Sequence, residues 1–440
     1  MAPMLGYYFN LALRSFRRNK VLTALMVLAI ALGIGAAMTT LTVYHVLSGD
    51  PLPGKSQNLY YPQIDPQTRE EYRPGGDPPG QLTRLDAETL LKAKRADRQA
   101  LMTGGGVAVQ PQRAGLLPFA ADSRYTSADF FPMFDVPFLY GSGWDAAADE
   151  AHARDAVISS SLNEKVFGGG NSVGKTLRLD GTDFRVVGVL AKWRPVPKFY
   201  DLNMSRHGYG EAEQVFLPFT TSRDLKLGRS GSMDCFDETS EGMSATDVGA
   251  PCTWIQFWVQ LDTPQKARDY KAFLENYSDQ QRAAGRFQRP NNVQLRDLMG
   301  FLRHEKVVPD DVNLQMWLAF GFLLVCLVNT VGLLLAKFMR RSAEIGVRRA
   351  LGASRSAIFM QCLIEAVSVG LVGGVLGLGL AFLGLWAVRQ QPVEHATLAH
   401  LDPVMLLTTF ALAIVASLFA GALPAWRACQ VTPAIQLKTQ

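Results

Sequence analysis

The sequence predicts a membrane protein with four transmembrane α-helices and one large α+β periplasmic domain of two subdomains, inserted between helices 1 and 2. Two observations lead to this fold class. First, 48% of the 440 residues are hydrophobic and most of them fall in a few long runs. Second, basic residues cluster beside particular ends of those runs. Because about 20 apolar residues in a helix span the hydrocarbon of a bilayer, the runs are expected to cross it.

Four long apolar runs are nearly free of charged residues. The transmembrane helices are accordingly expected over residues 21–49, 313–339, 357–389 and 403–424. The first run follows basic residues, as the apolar segment of a signal peptide would. It is much longer than the about 7–15 residues of such a segment, and no small-residue cleavage site follows it, so we expect it to remain as an anchor.

Residues 1–20 carry apolar side chains at helical spacing ahead of the first run. Leu5, Phe9, Leu13 and Phe16 recur every three or four residues, while the arginines fall on other positions. This pattern is typical of an amphipathic helix that lies on the inner surface of a membrane. We therefore predict a cytoplasmic amphipathic helix over 1–20.

The basic residues predict the orientation of the chain. Segments 1–20, 336–356 and 425–440 hold twelve Lys or Arg residues and a single acid, whereas the whole chain has a net charge of only +5. Basic loops resist translocation. We therefore expect a protein of the bacterial inner membrane with both termini cytoplasmic, a cytoplasmic loop at 340–356, a cytoplasmic tail at 425–440 and a short periplasmic loop at 390–402. Residues 50–312 then form the periplasmic domain, and the basic surplus says little about nucleic acid.

The periplasmic domain alternates helical and strand patterns after a Pro- and Gly-rich entry at residues 50–82. Helices are expected at 86–96, 160–167 and 264–284, strands at 156–158 and 255–261, and a hairpin at 176–179 and 184–190 with its turn at Asp180-Gly181. The stretch of about 200–252 lacks such patterns. We expect it to be an irregular insertion or a smaller lobe, so that the domain has two subdomains.

Cys235 and Cys252 are the only two of the five cysteines that fall in the expected periplasmic domain. In an oxidising compartment we predict that they form a disulfide, which would close a Gly-, Ser- and Asp-rich segment and stabilise it by about 3 kcal/mol. The alternative is a pair of free thiols.

Two motif matches suggest enzymes but lack the necessary context. Gly169, Gly174, Lys175 and Thr176 match the phosphate-binding loop of ATPases, yet a helix is expected before them and a hairpin after them, the reverse of a P-loop. His304-Glu305 begins a zinc-helix motif that fails at Val308. We therefore expect no catalytic, cofactor or metal site in this chain.

The cytoplasmic loop between the second and third expected spans has the residues of a short helix. Glu344 and Arg348 are spaced for an i, i+4 ion pair, Gly352 can end the helix in a left-handed conformation, and Ser354 can cap the next one. These features alone are also compatible with a loop that only anchors the topology.

The same loop resembles the signature of MacB-type and FtsX-like permeases of ABC transporters. The matching residues are Glu344, Ile345, Gly346, Val347, Arg348, Arg349, Ala350, Leu351 and Gly352, continued by Ala353-Ser354 and by Gln361 to Ala366. Further similarity lies at residues 11–35, 125–131, 172–176, 186–189 and 424–433. Over residues 200–252 we recognise no resemblance to that family.

The resemblance implies that this loop is a coupling helix seated on an ATPase, that ATP and Mg²⁺ are bound by a separate ATPase subunit, and that two permease protomers pair as a homodimer or a sibling heterodimer. The implied function is export of a drug, peptide or siderophore-like substrate through a periplasmic adaptor and an outer-membrane duct. Lipoprotein extraction, or a scaffold that regulates cell-wall hydrolases, are alternatives.

Two features of the spans are open to more than one interpretation. The glycines of the third span, at 370, 373, 374, 377 and 379, could serve either the dimer or packing within one chain. Glu365 at its inner edge is expected to reach the interface or to pair with a basic neighbour, and Asn329 of the second span is expected to hydrogen-bond across helices.

Overall fold

The computed structural model of the protein describes residues 20–70, 72–113, 115–202, 208–391, 398–401 and 403–430. The amphipathic helix predicted over residues 1–20 and the tail after 430 lie almost wholly outside the described residues. The chain divides into two compact units, which are the large domain Gly49–Val307 and the segments on either side of it.

Four helices are long and apolar enough to cross a membrane, which confirms the predicted fold class. They are TM1 (Lys20–Ser48), TM2 (Asp310–Arg340), TM3 (Arg355–Arg389) and TM4 (Pro403–Cys429). All four are longer than the about 20 residues needed to cross the hydrocarbon. Ser354 caps TM3, since its hydroxyl accepts a hydrogen bond from the amide of Ala357 at 3.1 Å.

The glycines of TM3 are used for packing within the chain. A Cβ on Gly373 would lie 2.8 Å from Ile30 of TM1, and one on Gly374 would lie 2.6 Å from Ala413 of TM4. Small residues let transmembrane helices approach closely, and here they place TM3 between TM1 and TM4. Only Gly379 of the set has no atom within 4 Å of such a Cβ among the described residues.

The large domain contains one extended sheet. Its strands are β1 (Leu59–Gln63), β2 (Leu82–Thr83), β3 (Arg98–Gln110), β4 (Phe119–Thr126), β5 (Phe138–Gly141), β6 (Asp155–Ile158), β7 (Thr176–Leu179), β8 (Thr182–Leu190), β9 (Val215–Pro218), β10 (Arg229–Ser230), β11 (Asp234–Cys235), β12 (Cys252–Gln260) and β13 (Gln294–Asp297). The main strand order is β13-β1-β12-β3-β4-β9-β6-β8-β5. Pairs β4/β9 and β6/β8 are parallel and the others along this path are antiparallel. The two expected subdomains are thus joined through a continuous sheet.

Seven helices cover this sheet among the described residues. They are α1 (Arg84–Ala93), α2 (Phe130–Met133), α3 (Ala146–Glu150), α4 (Ser160–Phe167), α5 (Phe219–Asp224), α6 (Pro264–Ala283) and α7 (Leu298–His304). Local sequence explains several of their starts, because side chains of Thr83, Asp145, Ser159, Thr263 and Asp297 accept hydrogen bonds from backbone amides as N-caps. The helix predicted at 160–167 and the hairpin of β7 and β8 are confirmed.

The prediction that residues 200–252 are irregular is wrong over part of that stretch. Strand β9 lies between β4 and β6 near the middle of the sheet, and α5 follows it directly. All four residues of β9 are buried. A strand buried on both faces has no polar alternation, and this one is too short to stand out from its Gly- and Ser-rich surroundings.

The domain also buries a cluster of charges between β4, β9 and the segment before it. The Arg124 guanidinium contacts the carboxylates of Asp201 and Glu213, and all three side chains are 0–2% exposed. The ammonium of Lys198 lies 3.2 Å from Glu213. Burial alone would raise the pKa of Glu213, but the charges of Arg124 and Lys198 outweigh it and hold this pKa at about 2.

Candidate functional site

The loop between TM2 and TM3 forms a helix, Ser342–Ala350, which we call the loop helix. Glu344 lies in its first turn and Arg348 in its last, and their side chains form an ion pair at 3.0 Å. Gly352 has φ +101°, and the amide of Ala353 donates to the carbonyl of Arg348 at 3.0 Å. The left-handed glycine therefore ends the loop helix and turns the chain into TM3.

A buried carboxylate joins the loop to two spans. The carboxylate of Glu365 in TM3 lies 2.7 Å from the ammonium of Lys337 in TM2 and 3.3 Å from the guanidinium of Arg341, which connects TM2 to the loop helix. The side chains of Lys337 and Glu365 are only 1% and 4% exposed. Burying charges at this depth is unfavourable unless they are paired, so this three-residue cluster holds its elements in one arrangement.

Further contacts tether the loop helix to the bundle. Arg348 donates to the side-chain carbonyl of Gln361 in TM3 at 3.0 Å. Arg349 donates to the backbone carbonyl of Cys429 at the end of TM4 at 3.3 Å. Arg341 also lies 3.5 Å from Glu344 within the loop. The loop helix is therefore linked to TM3 and TM4 by polar contacts with defined geometry, and to TM2 through the chain at Arg341.

The predicted coupling residues divide between two sides of the loop helix. Gly346 is buried and Ile345 packs against the apolar core of the bundle. Glu344, Arg348 and Arg349 form the tethers described above. Three residues face away from the chain, and they are Val347 at 58% exposed, Leu351 at 83% exposed, and Ala350. An exposed apolar end on a tethered helix is typical of a docking surface.

Sequence reasoning missed the roles of Lys337 and Arg341, which it used only as signals of topology. It also left two possibilities for Glu365, which were to reach the membrane interface or to pair with a basic neighbour. The structure shows the ion pair. The signal was present in the sequence, because a carboxylate at the edge of an apolar span requires a cation at similar depth. The side chain of Asn329 is exposed on TM2, and it makes no hydrogen bond to another helix among the described residues.

The structure joins Cys235 of β11 to Cys252 of β12 by a disulfide across the directly opposed positions of the two strands. Cys326, Cys362 and Cys429 are free and buried in the helical unit. The segment containing the matched P-loop residues follows α4 and precedes β7, so a helix comes before it and a strand after it. Within the described parts of the chain no group of three or more His, Cys, Asp or Glu side chains could hold a metal ion.

Comparison with protein families assigns both units of the chain. The model of the MacB-like periplasmic core domain matches residues 23–276, and the model of the FtsX-like permease C-terminal region matches residues 316–433. The first match alone covers more than half of the sequence. The chain belongs to the MacB/FtsX-like permeases. Its large domain is therefore the MacB-like periplasmic core domain, and its four helices make it a multi-pass membrane protein.

Among curated relatives, the chain is 26% identical over 451 residues to a macrolide export ATP-binding/permease protein MacB of Rhodospirillum rubrum, covering 100% of this chain and 61% of the relative. It is 23% identical over 428 residues to the MacB protein of Escherichia coli K12, covering 96% of this chain and 59% of that protein. The chain thus spans about 60% of the length of these relatives. The region it shares with them is the permease part.

Among solved structures, the periplasmic region of MacB from Actinobacillus actinomycetemcomitans has a TM-score of 0.34 with 13% identity and covers 56% of this chain and 92% of that one. The extracellular domain of YknZ, an ABC-type transporter of Gram-positive bacteria, has a TM-score of 0.35 with 11% identity and covers 54% of this chain and 100% of that one. The assignment of this permease to its family depends on the family models.

Proposed function

We propose that this chain is the permease subunit of an ABC transporter, in which a separate ATPase subunit binds ATP and Mg²⁺ and acts on the loop helix. Closure of the ATPase would move the loop helix, and the permease would pass that movement to its periplasmic core domain. The chain itself would supply binding surfaces and mechanical coupling, without a catalytic site or cofactor of its own.

The observation that carries this proposal is the pair of exposed apolar side chains at the C-terminal end of the loop helix. Val347 lies on the helix and Leu351 follows its last residue, and they are 58% and 83% exposed. Arg341, Arg348 and Arg349 tether the same helix to TM3 and TM4. A surface for a partner and a link to the bundle therefore occur together at a helix of nine residues.

We further propose that the permease lies in the bacterial inner membrane with both termini and the loop helix in the cytoplasm. The basic residues at 336–356 support this orientation, because basic loops remain on the cytoplasmic side. The disulfide between Cys235 and Cys252 supports a periplasmic position for the core domain, since disulfides persist in oxidising compartments.

The proposed transporter contains a second permease protomer, either an identical copy or a sibling. TM2 supports this, because one of its sides is exposed in the described chain although it consists of apolar residues. Its exposed residues include Leu314, Leu318, Val325, Val328 and Asn329. An exposed asparagine in the middle of a span favours contact with another helix over contact with lipid.

The proposed substrate is a drug, peptide or siderophore-like molecule, moved from the periplasm with an adaptor protein into an outer-membrane duct. The relatives named as macrolide exporters support export over the other activities considered. Lipoprotein extraction and regulation of cell-wall hydrolases differ from export in the partner they require, so the same purification distinguishes all three.

The test is affinity purification of the full chain from its native membrane, followed by mass spectrometry of stoichiometric partners, for wild type and Leu351→Asp. Leu117→Asp is the matched control, because Leu117 is 81% exposed on the core domain and Leu351 is 83% exposed directly after the loop helix. We expect wild type and the control to retain an ATPase and Leu351→Asp to lose it.

Absence of any ATPase from the wild-type complex, or its full retention by Leu351→Asp, would refute the coupling role. A co-purified adaptor supports export, a lipoprotein carrier in its place would replace export by extraction, and a cell-wall hydrolase would replace it by scaffolding.

A further inference from the structure

The core domain contains a groove of about 1260 Å³, lined by parts of α1, β3, α3 and α5 and by the segment around α2. Ordinary small-molecule pockets have volumes of about 300–1,000 Å³. The groove can therefore accept a ligand at or above the upper end of that range. All of its lining residues belong to the core domain.

One wall of the groove is aromatic. Phe131, Phe138, Trp144 and Phe219 line it, and the rings of Phe131 and Trp144 meet edge to face with centroids 4.8 Å apart. Trp144 is fixed further, since its indole N–H donates to the carboxylate of Asp149 at 2.8 Å. Packed rings of this kind offer a preformed apolar surface to a ligand.

Three carboxylates in the groove have no basic partner among the described residues. Asp129 accepts a hydrogen bond from the amide of Gln99 at 3.0 Å, Asp145 from the amide of Ala148 at 2.9 Å, and Asp149 from the amide of Ala128 at 2.6 Å. These bonds orient the carboxylates but leave their charges without counter-ions.

Four of the other carboxylates that line the groove form ion pairs, which are Glu88 with Arg84, Asp97 with Lys266, Asp135 with Lys55, and Glu150 with Lys94. A fifth, Asp224, contacts the imidazole of His152. The lining carboxylates that have no basic side chain beside them among the described residues are therefore Asp129, Asp145 and Asp149.

Two properties indicate that this part of the groove lacks a partner. Burial raises the pKa of Asp149 to about 6, and the charges of Asp129 and Asp145 add to that rise against the hydrogen bonds from Ala128 and Trp144. Gln99 also lines the groove and is 4% exposed. Its Nε2 donates to the carbonyls of Leu90 and Leu91, and its Oε1 accepts no hydrogen bond among the described residues. A buried acceptor without a donor is unfavourable.

We propose that this groove binds an amphipathic organic cation, a molecule with an apolar body and an amine or guanidine group. The apolar body would pack on the aromatic wall, and the cationic group would approach Asp129, Asp145 and Asp149. The proposal deepens the proposed function and rests on it, because the bound cation would be the exported substrate.

The geometry favours an organic cation over a metal ion or an anion. A metal ion needs several ligand atoms in one coordination shell, and the described carboxylates form no such group. Lys92 and Arg98 also line the groove without an ion pair among the described residues, but the carboxylates without a basic partner outnumber them, which disfavours an anion. A neutral ligand would use the aromatic wall and leave those charges unpaired.

The test measures binding of rhodamine 6G, a rigid aromatic cation, to the full chain in nanodiscs of phosphatidylcholine, with empty nanodiscs as background. Fluorescein, an aromatic anion of similar size, is the ligand control. The variant is Asp129→Asn/Asp145→Asn, because asparagine keeps an acceptor oxygen and remains a good N-cap at position 145. Asp122→Asn/Asp279→Asn removes the same charge from exposed positions outside the groove.

We expect the groove variant to weaken binding of rhodamine 6G by at least about tenfold, the effect of losing two nearby charges at the edge of a protein. Asp122→Asn/Asp279→Asn should change the affinity for rhodamine 6G by less than about twofold, since distant surface charges are screened. Equal losses in both variants, unchanged binding in the groove variant, or equal binding of fluorescein by wild type would overturn the proposal.

The outcome is separable from that of the proposed function. If rhodamine 6G binds as expected but no ATPase co-purifies, the groove is a ligand site and the transport role fails. If the ATPase co-purifies but the groove variant binds normally, the transporter stands and the assignment of its substrate class fails.

Discussion

The core domain and the membrane bundle each bury an ion cluster, and the two clusters differ in what they connect. In the core domain Arg124, Asp201 and Glu213 join a central strand to segments packed around it, within one rigid sheet. In the bundle Glu365 joins two spans through Lys337 and the loop helix through Arg341. The first cluster connects segments of one sheet-based domain, whereas the second connects separate helices of the bundle.

Burial of charged side chains does not by itself identify a functional site. Both clusters are nearly inaccessible to solvent and both are well paired. Among the described residues the bundle cluster continues, through Glu344 and Arg348, to the exposed apolar side chains of Val347 and Leu351. The coupling role that we propose rests on this position rather than on the strength of the ion pair.

The largest effect is expected from Arg124→Met. This change leaves two carboxylates in the core with Lys198 as their only described cation, and it should lower the free energy of unfolding of the core domain by about 3–5 kcal/mol. Thermal unfolding of the full chain, followed by tryptophan fluorescence, measures it. Arg185→Met is the control, because Arg185 is 66% exposed in its pair with Asp155 and should matter by less than about 1 kcal/mol.

Lys337→Met in the bundle should lower the free energy of unfolding by a smaller amount, about 2–4 kcal/mol, because Arg341 still pairs with Glu365. The double variant Lys337→Met/Glu365→Leu removes both charges and should recover most of that loss while ATP hydrolysis no longer drives transport. The comparison between the two clusters fails if the double variant transports normally, since the bundle cluster would then be structural only.

Removal of the disulfide by Cys235→Ser/Cys252→Ser should cost about 1–3 kcal/mol, and the cost should be local. The strand pairing of Asp234 with Thr253 remains and limits the effect. Limited proteolysis should show new cleavage within 236–251, with the rest of the core domain intact. Cleavage throughout the domain would instead show that the disulfide stabilises the whole core domain.

The smallest effect concerns pH and Asp149. Its folded pKa of about 6 lies above the about 3.9 of an unfolded aspartate, so between these values the folded state binds more protons. This group therefore stabilises the fold as pH falls from 7 to 5, by about 1 kcal/mol after allowance for its partial exposure.

The measurement is the difference in unfolding temperature between wild type and Asp149→Asn at pH 7 and at pH 5. On acidification from pH 7 to pH 5, the unfolding temperature of wild type should rise relative to that of Asp149→Asn. Asp129, Asp145, Glu150 and the His152–Asp224 pair face the same groove, so each is kept unchanged in both proteins. If the unfolding temperature of wild type instead fell relative to that of the variant at pH 5, the expected stabilisation by protonation of Asp149 would be wrong.

Local signals explain which parts of the fold could be predicted. The spans depend on length and hydropathy, and helix α4 depends on the cap at Ser159 and the left-handed Gly168, all of which act within a few residues. Strand β9 has no such signal, because its place between β4 and β6 is set by partners far away in the chain.

The candidate site divides in the same way. The loop helix could be predicted from the spacing of Glu344 and Arg348 and from Gly352, because those interactions are local. The contact of Lys337 and Arg341 with Glu365 could not, since it depends on the depth and rotation of two helices.

By itself, the sequence determined the four spans, their basic flanks, the loop helix and the family resemblance, because these depend on hydropathy and on contacts between near neighbours. Only the tertiary structure decided that the TM3 glycines pack against TM1 and TM4, that Glu365 is shared between Lys337 and Arg341, and that three unpaired carboxylates meet an aromatic wall. Each of these features requires contacts between residues that are distant in the chain. The free energy of such contacts depends on packing and desolvation in the folded protein.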